Sequence, residues 1–147
     1  MDYKNSAIRK AAITGVGGFV PEDKLTNADL EKMVDTNDEW IVSRTGIKER
    51  RILKDPSKGT SFMAIKAAED VIQKKQLDPV SIDMLIVATI TPDMPVAATA
   101  AYVASEIGAT NAFAYDLQAA CSGFLYAMST ASAMISSGRY QKVMVIG

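Results

Sequence analysis

The 147-residue chain contains no histidine and a single cysteine, Cys121. Without histidine, no Ser-His-Asp triad, Cys-His dyad or His-ligated metal can be assembled from these residues alone. One cysteine excludes an internal disulfide framework and a cysteine-rich zinc site, so no metal site is expected. An excess of one charge is missing too. The 16 basic and 17 acidic residues leave a net charge of −1, and no basic field recruits nucleic acid or an anionic membrane. No apolar run approaches the ~18 residues of a membrane span, and the start MDYKNSAIRK lacks the apolar core of a signal peptide. A reducing cytoplasm is the simplest home.

What is present suits a folded domain. The composition is 48% hydrophobic and 22% charged. At this length roughly 68–70% of the unfolded surface can be buried. Strand-like and helix-like segments alternate. Ile8 to Val20 reads as a strand running into a glycine turn. LTNADLEKMV starts a short helix, with Thr26 and Asp29 at capping-box spacing. TNDEWIVSRTG starts a second, with Thr36 and Glu39 at the same spacing and Gly46 at its end. IKERRIL is strand-like. Thr60 to about Gln76 is a helix burying Phe62, Ile65, Ala68 and Ile72. SIDMLIVATI is the continuous apolar run of a strand buried on both faces. TPDMP is a loop, AATAAYVASEIG a helix of small residues, and KVMVIG a last buried strand. Strands alternating with crossover-length helices predict an α/β fold: a mostly parallel sheet with helices on its faces. No repeat and no Pro/Gly/Ser linker divides the chain, so residues 1–147 are read as one domain.

Gly15, Gly17 and Gly18 suggest a dinucleotide-binding loop. That reading fails, because Val20 stands where the third glycine belongs and Pro21-Glu22 follow instead of a helix. Close backbone packing and a turn is the plainer account.

Cys121 lies in AYDLQAACSGFLYA, where a strand meets a helix. The helical spacing puts Cys121, Phe124, Leu125, Met128, Ala131, Met134 and Ile135 on one buried face, and Gly138 is the C-cap candidate. Buried cysteine more often packs as a small hydrophobe than reacts. A helix start, however, favours a thiolate. A thiol is only a few per cent thiolate at neutral pH. A helix terminus contributes at most about 2 kcal/mol, so a reactive cysteine there still needs a partner that this chain, lacking histidine, does not offer. Trp40 and Arg44, four apart on a helix, are a second candidate. An indole face and a guanidinium can sandwich a flat ring, and the arginine can also meet phosphate. The alternative is a core tryptophan covered by a surface arginine. Lys48, Arg50 and Arg51 could add charge nearby.

Residues 26–52, TNADLEKMVDTNDEWIVSRTGIKERRI, resemble the N-terminal signature of β-ketoacyl-acyl carrier protein synthase III. AYDLQAACSGFLYA, residues 114–127, is similar to that family's nucleophile motif, and TGVGGFVPE and LIVATITPD match in order. The resemblance runs from about Ile8 to Gly147. It implies the N-terminal half of a thiolase-like fold. It implies Cys121 as the nucleophile that takes an acyl group, usually acetyl, from acyl-coenzyme A, with its backbone N–H holding the thioester oxygen. Trp40 would stack on the adenine, with Arg44 and Thr36 holding the nucleotide end. The acyl-cysteine would then condense with decarboxylated malonyl-acyl carrier protein, starting fatty acid synthesis. No cofactor is implied beyond the coenzyme A thioester, which is substrate.

Condensation in the family also uses a histidine and an asparagine from the C-terminal half, so the resemblance implies that this chain is incomplete and inactive in condensation alone. Ile90 stands where a small polar residue is common and Val96 where an aromatic often lines the acyl pocket, which leaves the acyl preference open. Family members are homodimers, so Phe113 to Leu117 would lie at the interface. Another thiolase-like condensing enzyme of secondary metabolism, or a non-catalytic scaffold subunit, are the alternatives.

Overall fold

A computed structural model describes residues 9–147. They form two compact units, one of residues up to Phe19 together with Gly59–Gly147, the other Val20–Lys58. The second is thus an insertion in the sequence of the first.

The larger unit is built on a three-stranded parallel sheet: β3 (Met84–Ala88) in the middle, β4 (Phe113–Leu117) on one side and β5 (Val143–Ile146) on the other. The helices are α3 (Thr60–Lys75), α4 (Thr99–Glu106) and α5 (Gly123–Ser136). The run MLIVA has a simple cause. Successive side chains of a strand point to opposite faces, and both faces of β3 are covered. Leu85 and Val87 pack with Ala64 and Ala68 of α3 and Ala100, Val103 and Ala104 of α4. Met84 and Ile86 pack with Ala127 of α5. Each such side chain contributes roughly 1.5–3 kcal/mol by leaving water. The expected α/β architecture with a parallel sheet is therefore the one observed.

At the amino end of the sheet Asp83 acts as a clamp. Its carboxylate accepts the N–H groups of Gln141 and Lys142 at 2.8 and 2.9 Å, and its carbonyl accepts that of Phe113 at 3.0 Å. All three strands are thereby joined where they begin. The two N–H donors, Lys142 first, hold the Asp83 carboxyl below its ordinary value.

The strand expected from Ile8 to Val20 does not form. Ile8 lies outside the described residues, and residues 9–20 belong to no regular element. The glycine turn instead lies against α3. A Cβ on Gly17 would come within 2.7 Å of the Val71 nitrogen. The Gly18 N–H donates to Asp70 at 2.9 Å, and Phe19 meets Phe62 edge to face. Close packing accounts for Gly15 and Gly17, whereas a Cβ on Gly18 would meet nothing within 4 Å.

The smaller unit has two short antiparallel strands, β1 (Lys24–Thr26) and β2 (Glu49–Arg51), and two short helices, α1 (Asn27–Leu30) and α2 (Asp38–Thr45). Thr26 and Asp29 make the expected reciprocal capping box. The box expected from Thr36 and Glu39 is not the cap of α2. Asn37 is the N-cap, and its side chain accepts the Trp40 N–H at 2.8 Å. Asn is at least as good an N-cap as Thr, and it stands one residue closer to the helix. Gly46 closes α2 in the left-handed conformation, φ 70°.

Candidate active site at the carboxyl ends of the strands

Parallel strands bring their carboxyl ends together, and ligands of open α/β sheets bind there. Ala88 of β3 pairs with Leu117 of β4, and the Thr89 N–H extends the ladder to the Leu117 carbonyl at 3.1 Å. Two loops leave from this point. One is 89–98, leading to α4. The other, after Leu117, passes through Gln118 and Ala119 into a tight 3-10 turn, Ala120–Ser122, and so into α5.

Cys121 is the middle residue of that turn and is exposed. Ala120, just before it, has φ 43°. An L-residue in the left-handed region costs roughly 1–2 kcal/mol. The strain accompanies a sharp reversal that puts the sulfur on the surface where the strands end. Gly123 is buried where α5 begins, in contact range of Ala88, whose Cβ would lie 3.4 Å from a Cβ at this position. Ser122 gives no side-chain cap to α5, so the first-turn N–H groups next to Cys121 have no side-chain acceptor.

The burial of α5 differs from the sequence expectation. Gly123, Ala127 and Ala131 are buried, while Cys121 is exposed and Leu125 is 69% exposed. Of the expected face, Ala131 is buried and Met134 packs against the Met84–Ile86 cluster, whereas Phe124 and Leu125 are exposed. A helix that approaches a sheet closely does so through its small residues, which the periodicity of large apolar residues does not single out.

The 89–98 loop carries Ile90 and Val96, both exposed, Val96 at 97%. A cavity of ≈ 200 Å³ beside the loop is lined by Asp93, Met94, Ala97, Ala98, Thr99 and Tyr102, and includes neither residue. The loop is held at both ends by carboxylates. Asp93 accepts the Ser61 N–H at 3.1 and 3.2 Å, capping α3 from a distance, and the Thr60 hydroxyl donates to the Thr91 carbonyl at 2.6 Å. Asp116 of β4 accepts the N–H groups of Thr99 and Ala100, both at 2.7 Å, and so caps α4. The residues before α3 and α4, Gly59 and Ala98, make no side-chain cap themselves. Sequence reading missed both aspartates. For Asp116 a signal existed, a lone charge inside the apolar strand FAYDL. Asp93 carried none.

In the smaller unit, α2 presents Trp40 and Arg44 together. Trp40 is 51% exposed, and the Arg44 guanidinium lies 4.5 Å from the indole centroid. This is a cation–π pair on an accessible surface, not a core tryptophan under a lid. Thr36 is half-buried, just ahead of α2. The basic cluster is largely engaged. Arg51 reaches the Pro21 carbonyl at 3.0 Å and pairs with Glu49, and Arg50 donates to Asn27. Among the described residues no group of three or more His, Cys, Asp or Glu side chains could hold a metal ion, and no helix is long and apolar enough to cross a membrane.

A parallel sheet covered by helices, with an exposed cysteine on a strained turn at its carboxyl end, defines an α/β protein with a candidate nucleophile. Comparison with known proteins narrows the class. The family model of 3-oxoacyl-[acyl-carrier-protein (ACP)] synthase III matches residues 115–147. A β-ketoacyl-[acyl-carrier-protein] synthase III of Chlorobium chlorochromatii is 60% identical over 138 residues, 94% of this chain and 42% of the relative. That of Phocaeicola vulgatus is 55% identical over 93% of this chain and 41% of its own length. The crystal structure of the Aquifex aeolicus synthase III has a TM-score of 0.85 and 45% identity, covering 89% of this chain and 42% of that one. The priming β-ketosynthase of the R1128 polyketide pathway has a TM-score of 0.87 and 32% identity over 97% and 43%. In sequence and fold, then, the chain is similar to the N-terminal part of β-ketoacyl-[acyl-carrier-protein] synthases III. It spans about 42% of the length of the curated relatives it matches.

Proposed function

We propose that this chain is the acyl-accepting part of a β-ketoacyl-acyl carrier protein synthase III, an acyltransferase that starts fatty acid synthesis. The single observation that carries the reading is Cys121, exposed on a strained turn where the parallel strands end and α5 begins. The Cys121 thiolate attacks the carbonyl carbon of acyl-CoA, most simply acetyl-CoA. The carbon–sulfur bond to coenzyme A breaks, the new thioester forms on Cys121, and the departing thiolate takes up a proton. The backbone N–H of Cys121 stabilises the tetrahedral oxyanion.

Trp40 stacks on the adenine, and Arg44 and Thr36 hold the nucleotide end. Ile90 and Val96 border the acyl chain from the 89–98 loop. Condensation with malonyl-acyl carrier protein follows, using the histidine and asparagine of the C-terminal half. No metal or further cofactor takes part. The protein acts in the cytoplasm, without membrane or nucleic acid, as a homodimer in which β4 pairs across the two-fold axis. The position of β4 at the sheet edge, with Phe113 exposed, supports that pairing.

The test is intact-mass measurement of the full-length protein after exposure to acetyl-CoA. The expected result is one acetyl group on Cys121, absent in Cys121→Ala. An unmodified Cys121 counts against the reading. The likeness to a priming β-ketosynthase favours a second reading, a condensing enzyme of secondary metabolism. A panel of starter thioesters with malonyl-acyl carrier protein separates the two, and failure to turn over that acceptor sinks the first.

A further inference from the structure

Within residues 20–58 the one buried polar side chain is Asn27, 2% exposed. Both amide hydrogens are used and the amide oxygen accepts one bond. Nδ2 donates to Asp38 Oδ1 at 2.7 Å and to the Ile47 carbonyl at 2.8 Å, and Oδ1 accepts from the Arg50 guanidinium. Its backbone N–H donates to the Lys48 carbonyl at 3.2 Å. Two of these partners bracket α2: Asp38 is its first residue, and Ile47 follows the Gly46 cap at its end. One side chain therefore grips the helix at both ends. The Glu31 carboxylate adds a bond to the Asp38 N–H at 2.7 Å.

An eight-residue helix is marginal by itself. Ile41 is its only buried residue, too little apolar contact to fix how it is rotated. Buried amide bonds are directional and costly to leave unmade, so they can set that orientation. What α2 carries outward is the Trp40–Arg44 pair.

We infer that Asn27 is a positioning residue for the coenzyme A clamp: by holding both ends of α2 it sets the direction in which Trp40 and Arg44 meet the nucleotide. This rests on the reading of Trp40 and Arg44 as that clamp. The same network turns one guanidinium nitrogen of Arg50 toward Asn27.

The test uses the full-length protein and two acetyl thioesters, acetyl-CoA and acetyl-N-acetylcysteamine, which lacks the nucleotide. Asn27→Asp replaces the donating amide nitrogen with an acceptor facing Asp38 and the Ile47 carbonyl. The expected result is a rise of about tenfold in KM for acetyl-CoA, equivalent to about 1.4 kcal/mol, with kcat little changed and the truncated thioester used as before. The double variant Asn27→Asp/Asp38→Asn rebuilds the bond with donor and acceptor exchanged and recovers part of the lost affinity. Equal loss with both thioesters, or no recovery in the double variant, overturns the inference, since a general defect in folding behaves that way. Trp40→Ala is the control. If it leaves coenzyme A affinity unchanged, the clamp reading itself falls. If it weakens binding while Asn27→Asp does not, only the inference about Asn27 falls.

Discussion

Residues 59–147 and residues 20–58 are held together by different means. The larger unit buries aliphatic side chains on both faces of β3, with Met84, Leu85, Ile86 and Val87 almost wholly out of water. The smaller unit buries only Asn27 and Ile41, and its order comes from a capping box, a short ladder and the bonds of one amide. Hydrophobic burial is non-directional and scales with area. Hydrogen bonds contribute less each, about 1 kcal/mol net, but fix geometry. The first kind of core suits a platform that must hold a strained turn. The second suits a small surface that must present two side chains at a set angle.

Three measurements sharpen or break that contrast. The largest effect is expected for Leu85→Ala, which should lower the unfolding free energy by about 2–5 kcal/mol in urea titrations followed by far-UV circular dichroism. A loss below about 1 kcal/mol would mean that the sandwich around β3 does not dominate stability. Next comes Thr26→Ala, which removes the capping box of α1 and should cost about 1 kcal/mol. Trp40 is the only tryptophan, so its fluorescence reports the smaller unit directly. An unaltered fluorescence midpoint would show that polar caps are not what orders that unit.

The smallest effect is the acid response of the Asp83 clamp. Its carboxyl is held low when folded, by the N–H groups of Lys142 and Gln141. The clamp's contribution is therefore complete above the ordinary carboxylate range and is lost as pH falls through that range to the lower folded value. Urea midpoints should decline from about pH 5 downward, and Asp83→Asn should decline less steeply while starting lower at neutral pH. Parallel curves for the two proteins would remove Asp83 as the source.

Much of the platform was legible. Continuous apolar runs marked β3 and β5, helical spacing marked α3, and Cys121 stood out because it lies where a strand meets a helix. Three features were not legible, each for a physical reason. Residues 9–20 have strand-like composition, but a strand exists only where a neighbour pairs with it, and sequence does not show the neighbour. The packed face of α5 was read only in part: Ala131 is buried and Met134 reaches the core as expected, but Ala127, not Phe124 or Leu125, packs against Met84 and Ile86. The hub at Asn27 joins residues 11 to 23 positions apart, and its short motif TNADL reads simply as a helix start. Trp40 and Arg44 lie side by side on α2, as their four-residue spacing suggested, whereas Asn37 took the capping role expected of Thr36.

The remote caps on α3 and α4 bear on how the chain folds. Asp93 lies 32 residues from Ser61, and Asp116 lies 16 and 17 residues from Ala100 and Thr99. Until a distant part of the chain has arrived, water must stand in for these carboxylates at the first N–H groups of both helices, and closing those loops carries an entropy cost. Peptides cut from α3 or α4 would therefore start poorly as helices. In the whole chain, helix initiation and sheet assembly become one event, which favours slow, all-or-none folding over stepwise accumulation of preformed helices.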